Sequence, residues 1–339
     1  MTEGRSPVCR VAEGVRPGAE IQRVDPLNAG SRRRTAAVRF ADADAVVIQL
    51  DDDPAAVRVE ARLRDAIDER TAVPVPAPLG SGTVRGHGWL ATRLVSATDL
   101  HQSFTGLDPR NRRRIARSFG RYLAELHEAF RFDAHGPLSV VDGELAVDGS
   151  RNSATAMTGG LDAETICDGS DGDGTTAGWR SWLAAFGRGS LARLPSEFDA
   201  IRADVADALV DPDIASTPVP RLFPWDFRPG NALIADGRIA AVLDWEGPLA
   251  AAPALSVAKA EYLVADWYVG SDEADSLREA FRAGYESVRK YPCVRAVHRI
   301  AAVVSTAVDS RGAVTNPGYP PVSRAEAVQF HRRALRSLL

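Results

Sequence analysis

Apolar and polar positions divide the chain into a strand-patterned N-terminal stretch and a longer, mainly helical remainder. From Ile21 to Phe40 the pattern reads strand, turn, strand, with the turn at Asn28-Ala29-Gly30-Ser31, and Ala45 to Leu50 is the next strand. Pro54 then opens a helix through about Arg70, with Val59, Leu63 and Ile67 at helical spacing. Residues 71–76 form an extended, Pro-rich connector, and Gly88 to Leu94 reads as a further strand. The polar lead-in before residue 20 is expected to be a short helix or irregular.

Beyond residue 95 the helical period dominates. Asp108 to Phe130 carries a buried stripe at Ile115, Phe119, Leu123 and Leu126, and His127 at its end reads as a packed structural residue. Residues 132–147 read as loop and hairpin. Between 148 and 178 the composition shifts to Gly, Ser, Thr and Asp, which predicts a flexible acidic insertion. Helical pattern resumes at Trp179 and runs through roughly Val210. Later helices are expected from about Leu255 to Val269, from Ser271 to Val288, and twice between Pro292 and Leu339.

Residues 221–246 interrupt this helical region. A turn-rich stretch, Pro224 to Asn231, leads into the apolar run Ala232 to Ala235, an Asp236-Gly237 turn, a second apolar run ending at Leu243, and then Asp244-Trp245-Glu246. Two short apolar runs joined by Asp-Gly predict a β-hairpin with polar groups at both ends. Such a hairpin is expected to bring Asp226, Asn231 and Asp244 together. Two carboxylates and an amide oxygen suit a hard cation such as Mg²⁺.

Asp226-x4-Asn231 followed by Asp244 resembles the core of the aminoglycoside phosphotransferase and choline kinase group, small-molecule kinases of protein-kinase-like fold. The resemblance implies an α+β, bilobal fold: an N-terminal nucleotide-binding lobe over 1–95, with an antiparallel sheet and one helix, and a helical catalytic and substrate-binding lobe over 96–339. It implies that Asp226 orients or deprotonates an acceptor hydroxyl, that Asn231 and Asp244 hold Mg²⁺ against ATP phosphates, and that Arg228 stands near the transferred phosphate. GTP in place of ATP is left open. The turn carrying Gly30 and Ser31 is placed over the phosphates, and the strand ending at Arg93 leads to the hinge. Glu60 matches the helix acid that pairs with an ATP-anchoring lysine, but the lysine position holds Gln49. Arg39, and after it Arg34, are the candidate replacement cations. Pro224 stands where the family usually has His.

Composition narrows the chemistry. Net charge −4 and pI near 5.9 argue against a generic nucleic-acid binder. Three scattered cysteines form neither a disulfide framework nor a metal pair, and no apolar run is long enough to span a membrane, so a cytoplasmic protein is expected; monomer and homodimer are both left open. With lysine only at 259 and 290, a Walker-type phosphate loop is excluded. The expected activity is ATP- and Mg²⁺-dependent phosphorylation of a hydroxylated small molecule, aminoglycoside-, choline- or sugar-like. The alternative, drawn from Gln49 and Pro224, is a nucleotide-binding or regulatory module with little or no catalysis. Acidic residues in the late helices, Glu261, Asp266, Asp272, Glu273 and Asp275, would suit a cationic acceptor, but an ordinary solvated face is the better reading of them.

Overall fold

A computed structural model describes residues 6–27, 33–147, 176–209 and 218–339. The chain divides into two compact units. One comprises Met1–Thr98, Ser139–Ala146 and Leu233–Gly247; the other comprises Asp99–Leu138, Val147–Ala232 and Pro248–Leu339.

The first unit is built on a five-stranded antiparallel sheet. Its strands are β1 (Ile21–Leu27), β2 (Arg34–Phe40), β3 (Val46–Asp51), β4 (Pro78–Val84) and β5 (His87–Arg93), in the order β1-β2-β3-β5-β4. Helix α1 (Pro7–Val15) is capped by the Ser6 side chain and packs Val11 and Ala12 onto Val38, Val46, Ile48 and Leu50. Because side chains alternate across a strand, Gln49 points to the other face, opposite its register partner Leu90. There helix α2 (Pro54–Arg70) lies against the sheet, with Val57 and Ala61 on Leu90. Asp53 caps α2 by accepting from the Ala55 and Ala56 amides, and Pro54 supplies the first helical position.

Two later segments belong to this unit although the sequence reading assigned them to the C-terminal part. The Val242 amide donates to Pro74 O at 2.8 Å, which ties the hairpin Ala232–Ala235/Arg238–Val242 to the connector after α2. Arg62 of α2 donates to Gly143 O at 2.8 Å. The hairpin turn itself is as expected: Asp236 and Gly237 both have positive φ, the conformation an Asp-Gly pair supplies at low cost.

The second unit is mainly helical. The helix Pro109–Ala129 packs on Ser271–Glu286, and Pro253–Glu261 packs on Ala296–Val304. Short strands Arg221–Phe223 and Leu249–Ala251 pair antiparallel, and Leu249 and Ala250 also pair with Pro137 and Gly136. The helical pattern from Trp179 to Val210 is not one element. It is two helices, Thr176–Ala192 and Asp199–Ala208, separated where Pro195 removes a backbone donor. The acidic insertion read at 148–178 lies almost wholly outside the described residues, as do Gly30 and Ser31. Among the described residues no helix is long and apolar enough to cross a membrane.

Candidate active site

The sequence from Arg221 to Asn231 folds into a turn anchored on both sides of its acid. Phe227 is buried and meets Phe119 edge-on, with ring centroids 5.0 Å apart. Trp225 packs beside Phe223 and Phe186, and Pro224 is buried where the family's His was expected. Between these anchors the half-buried Asp226 turns its carboxylate back onto its own loop. Oδ2 accepts from Arg228 Nε at 3.0 Å and from Asn231 Nδ2 at 3.1 Å, and Asn231 Nδ2 also donates to the Asp226 carbonyl at 2.9 Å. The Asn231 amide nitrogen is thus engaged within the loop, and its carbonyl oxygen is the atom suited to a hard cation.

Arg228 extends from this turn over the Trp267 ring, 5.0 Å from its centroid. Gly230 is required beside it: a Cβ there would come within 2.9 Å of the Tyr268 hydroxyl. Tyr268 in turn lies 3.0 Å from His101 Nδ1. Burial pushes the Tyr268 phenol up to about 12, so it stays a hydrogen-bonding hydroxyl, while burial and the Arg228 charge hold His101 below its usual range. A cavity of about 330 Å³ opens on this group, lined by His101, Arg228, Gly230, Trp267, Asp309 and Thr315. Asp309 Oδ1 already accepts from the Arg311 and Ala313 amides.

The late-helix acids do not share one environment: Glu261 is buried, Asp266 and Glu273 are half-buried, and Asp272 and Asp275 are exposed to solvent as an ordinary solvated face would be. Glu261 pairs with Arg299 and Tyr291, Asp266 with Arg278, Glu273 with Arg112, and Asp275 with Arg278. Glu261, Asp266 and Glu273 are thereby committed to partners within the unit, whereas the Asp275 pair is a surface contact.

In the first unit, Gln49 and Glu60 come together, but the cations beside them are not the expected ones. Arg39 is half-exposed and reaches Asp25 at 3.3 Å, four residues along β2 from the register partner of Gln49, about 13 Å away. Arg34 is exposed and meets His87. Arg93 is exposed at the end of β5, 3.8 Å from Asp44. The groups at Gln49 and Glu60 are Arg64 and Arg33. Arg64, one turn along α2, donates to Glu60 at 2.5 Å and to Gln49 Oε1 at 3.4 Å. Arg33, just before β2, donates to Glu60 and to Asp51 (2.7 Å) and lies 3.3 Å from Glu246. Burial pushes the Glu60 carboxyl up, yet Arg64 and Arg33 outweigh it and hold that carboxyl below its usual range.

Asp244, also in this unit, is half-buried and sits at φ +58°, a left-handed conformation that Asp tolerates better than most residues and that recurs at functional sites. The adjacent Trp245 is buried and donates to Val242 O at 3.0 Å, which fixes the chain just past the hairpin. Among the described residues no three His, Cys, Asp or Glu side chains form a ready-made metal cage. A carboxylate and an amide oxygen are the donor types Mg²⁺ takes when phosphate and water complete its shell.

Reading the sequence missed Arg33, Arg64 and Lys259, the last buried against Trp225. The Glu60/Arg64 spacing of four was a usable signal, because residues four apart share a helix face.

Comparison with known proteins identifies the family and the fold. A family model described as the phosphotransferase enzyme family matches residues 23–297. No curated protein matches the chain. Among solved structures, a thermostable mutant of the aminoglycoside phosphotransferase APH(4)-Ia, in a ternary complex with ADP and hygromycin B, aligns with TM-score 0.63 at 14% identity, covering 98% of this chain and 99% of that one. A putative aminoglycoside phosphotransferase from Ralstonia eutropha aligns with TM-score 0.59 at 16% identity, covering 97% of each chain. A putative fructosamine-3-kinase from Haemophilus somnus aligns with TM-score 0.54 at 12% identity, covering 98% and 96%. At these identities the structural likeness establishes the α+β, kinase-like fold, and the family match over most of the chain establishes kinship. The chain belongs to the phosphotransferase enzyme family and is a small-molecule kinase.

Proposed function

We propose that this protein transfers the terminal phosphoryl group of ATP to a hydroxyl of a small molecule, with Mg²⁺ held by Asn231 and Asp244. The observation that carries the reading is Asp226, fixed by Arg228 and Asn231 in a turn whose next residues line a 330 Å³ cavity. Arg228 and Gly230 of the same turn line that cavity; on this proposal an acceptor seated there extends its hydroxyl to the Asp226 carboxylate, which orients it and accepts its proton, and Arg228 offers a planar, permanently charged donor for the phosphoryl oxygens. Catalysis of this kind is mostly positioning and electrostatics, which the doubly anchored turn provides. Mg²⁺, when bound, neutralises triphosphate charge.

Nucleotide use is supported by relatives of the same fold crystallised with ADP or AMP-PNP. The missing lysine does not count against it on this reading. Arg33 and Arg64 converge on Glu60 and take over the ionic role that Gln49 cannot fill. Gly30, Ser31 and the hinge strand ending at Arg93 stay part of the proposed nucleotide site.

The test is a panel of hydroxylated metabolites and aminoglycosides incubated with MgATP and purified protein, reading ADP formation and the phosphorylated product. At least one acceptor is expected to be phosphorylated, and Asp226→Asn should lower kcat by about 10²-fold or more. Equal product formation by Asp226→Asn would remove the assigned role of Asp226.

A further inference from the structure

Two of the 41 basic residues are lysines, and one of them, Lys259, is buried in the second unit with 3% exposure. It lies on the helix Pro253–Glu261, and its ammonium sits 3.4 Å from the centroid of the Trp225 ring, the residue immediately before Asp226. Its other contacts are the Ser305 carbonyl at 3.5 Å and the Ser305 hydroxyl at 3.4 Å. Among the described residues it forms no salt bridge. The charged groups acting on it are Asp226, which favours its protonation, and Arg193 and Arg228, which oppose it.

A buried ammonium without a carboxylate partner is costly, and packing alone does not call for one. A methionine of similar length fills the same space. Arginine, used almost everywhere else in this chain, stays charged in any surroundings, whereas lysine can be brought toward neutrality by burial. Burial here, only partly offset by Asp226, lowers the Lys259 pKa to about 7.

We propose that Lys259 is a positioning residue for phosphoryl transfer, its ammonium clamping the Trp225 ring and supplying the positive field in which the adjoining Asp226 holds the acceptor. The proposal rests on the reading of Asp226 given above. Loss of the proton removes both the cation–π attraction and the field, so the turn works best below the pKa of the lysine.

The experiment follows kcat/KM against pH for wild type, Lys259→Met and Lys259→Arg, using MgATP with the best acceptor from the panel, and records melting temperature with and without MgATP for each. Wild type should lose activity above about pH 7 to 8, roughly tenfold per pH unit. Lys259→Met should lack that alkaline limb and fall at least about tenfold at neutral pH, with KM for MgATP within about twofold. Lys259→Arg should keep most of the neutral-pH rate and carry it to higher pH. A wild-type limb retained by Lys259→Met, with rates within about twofold, overturns the proposal and leaves the kinase reading intact. If Lys259→Met does not fold, a wild-type limb retained by Lys259→Arg overturns it. A wild type that neither melts higher with MgATP nor forms ADP overturns both.

Discussion

Glu60 illustrates how much one buried carboxylate can organise. At 1% exposure it is tolerable only because Arg64 and Arg33 satisfy it, and with Asp51 and Glu246 they form a connected network in the first unit. Glu60→Gln leaves two buried guanidinium groups underpaired and should cost about 3–5 kcal/mol, read by denaturant unfolding. Gln49→Lys is expected not to strengthen ATP binding, because the new ammonium competes with Arg64 for Glu60; a marked gain in affinity by calorimetry would show that the site lacks a cation. Histidines give a pH signature. Burial lowers His127 to about 3, and His135, His298 and His331 to about 4, all below the unfolded value near 6.5. Between these limits the unfolded chain binds more protons, so stability falls as pH falls from about 6.5 toward 4. Melting temperature should drop steadily over that window; a flat profile would contradict neutral, buried imidazoles. At this scale the packed His127 was legible from its place at the end of an apolar helix stripe, while spacing and motif single out Asp226, Asn231 and Asp244 for the roles proposed above. Lys259 was not legible, because its partner Trp225 lies 34 positions earlier and only the packing of the second unit brings them together.

Among the elements, the crossing of Pro109–Ala129 with Ser271–Glu286 is closest where both helices carry glycine. A Cβ on Gly120 would lie 1.9 Å from Phe281 O, and one on Gly284 would lie 1.9 Å from Arg117 O. Helix propensity alone says that Gly→Ala stabilises by about 1 kcal/mol. The contact says the reverse: Gly120→Ala must push the helices apart and should destabilise by roughly 1–3 kcal/mol, visible as a lower melting temperature. An unchanged or raised value would contradict the close approach. Helices with a clear apolar stripe were legible, as were α2 with its Asp53-Pro54 start and the Asp-Gly hairpin. The strand β4 was not: PLGSGTV has two glycines and no apolar alternation, and it is a strand because β5 pairs with it. The break at Pro195 was overrun because apolar residues keep helical spacing on both sides.

At the scale of the whole molecule, the sequence order and the structural units do not coincide. The segment that begins with Asp226 and Asn231 in the second unit continues into Leu233–Gly247, which belongs with the first. The boundary near residue 95 that the resemblance implies does not anticipate this, because the hydrogen bond from Val242 to Pro74 joins positions far apart in the chain. The proposal is that Asn231 and Asp244, both supplied by this segment, hold the magnesium of one nucleotide complex. Its most direct test is the melting temperature of wild type and Asp244→Ala with ATP, in Mg²⁺ and in EDTA, since a ligand that binds only the folded protein must raise it. The account predicts a rise in wild type that requires Mg²⁺ and is lost in Asp244→Ala; no rise, or an equal rise in EDTA and in the variant, would contradict it.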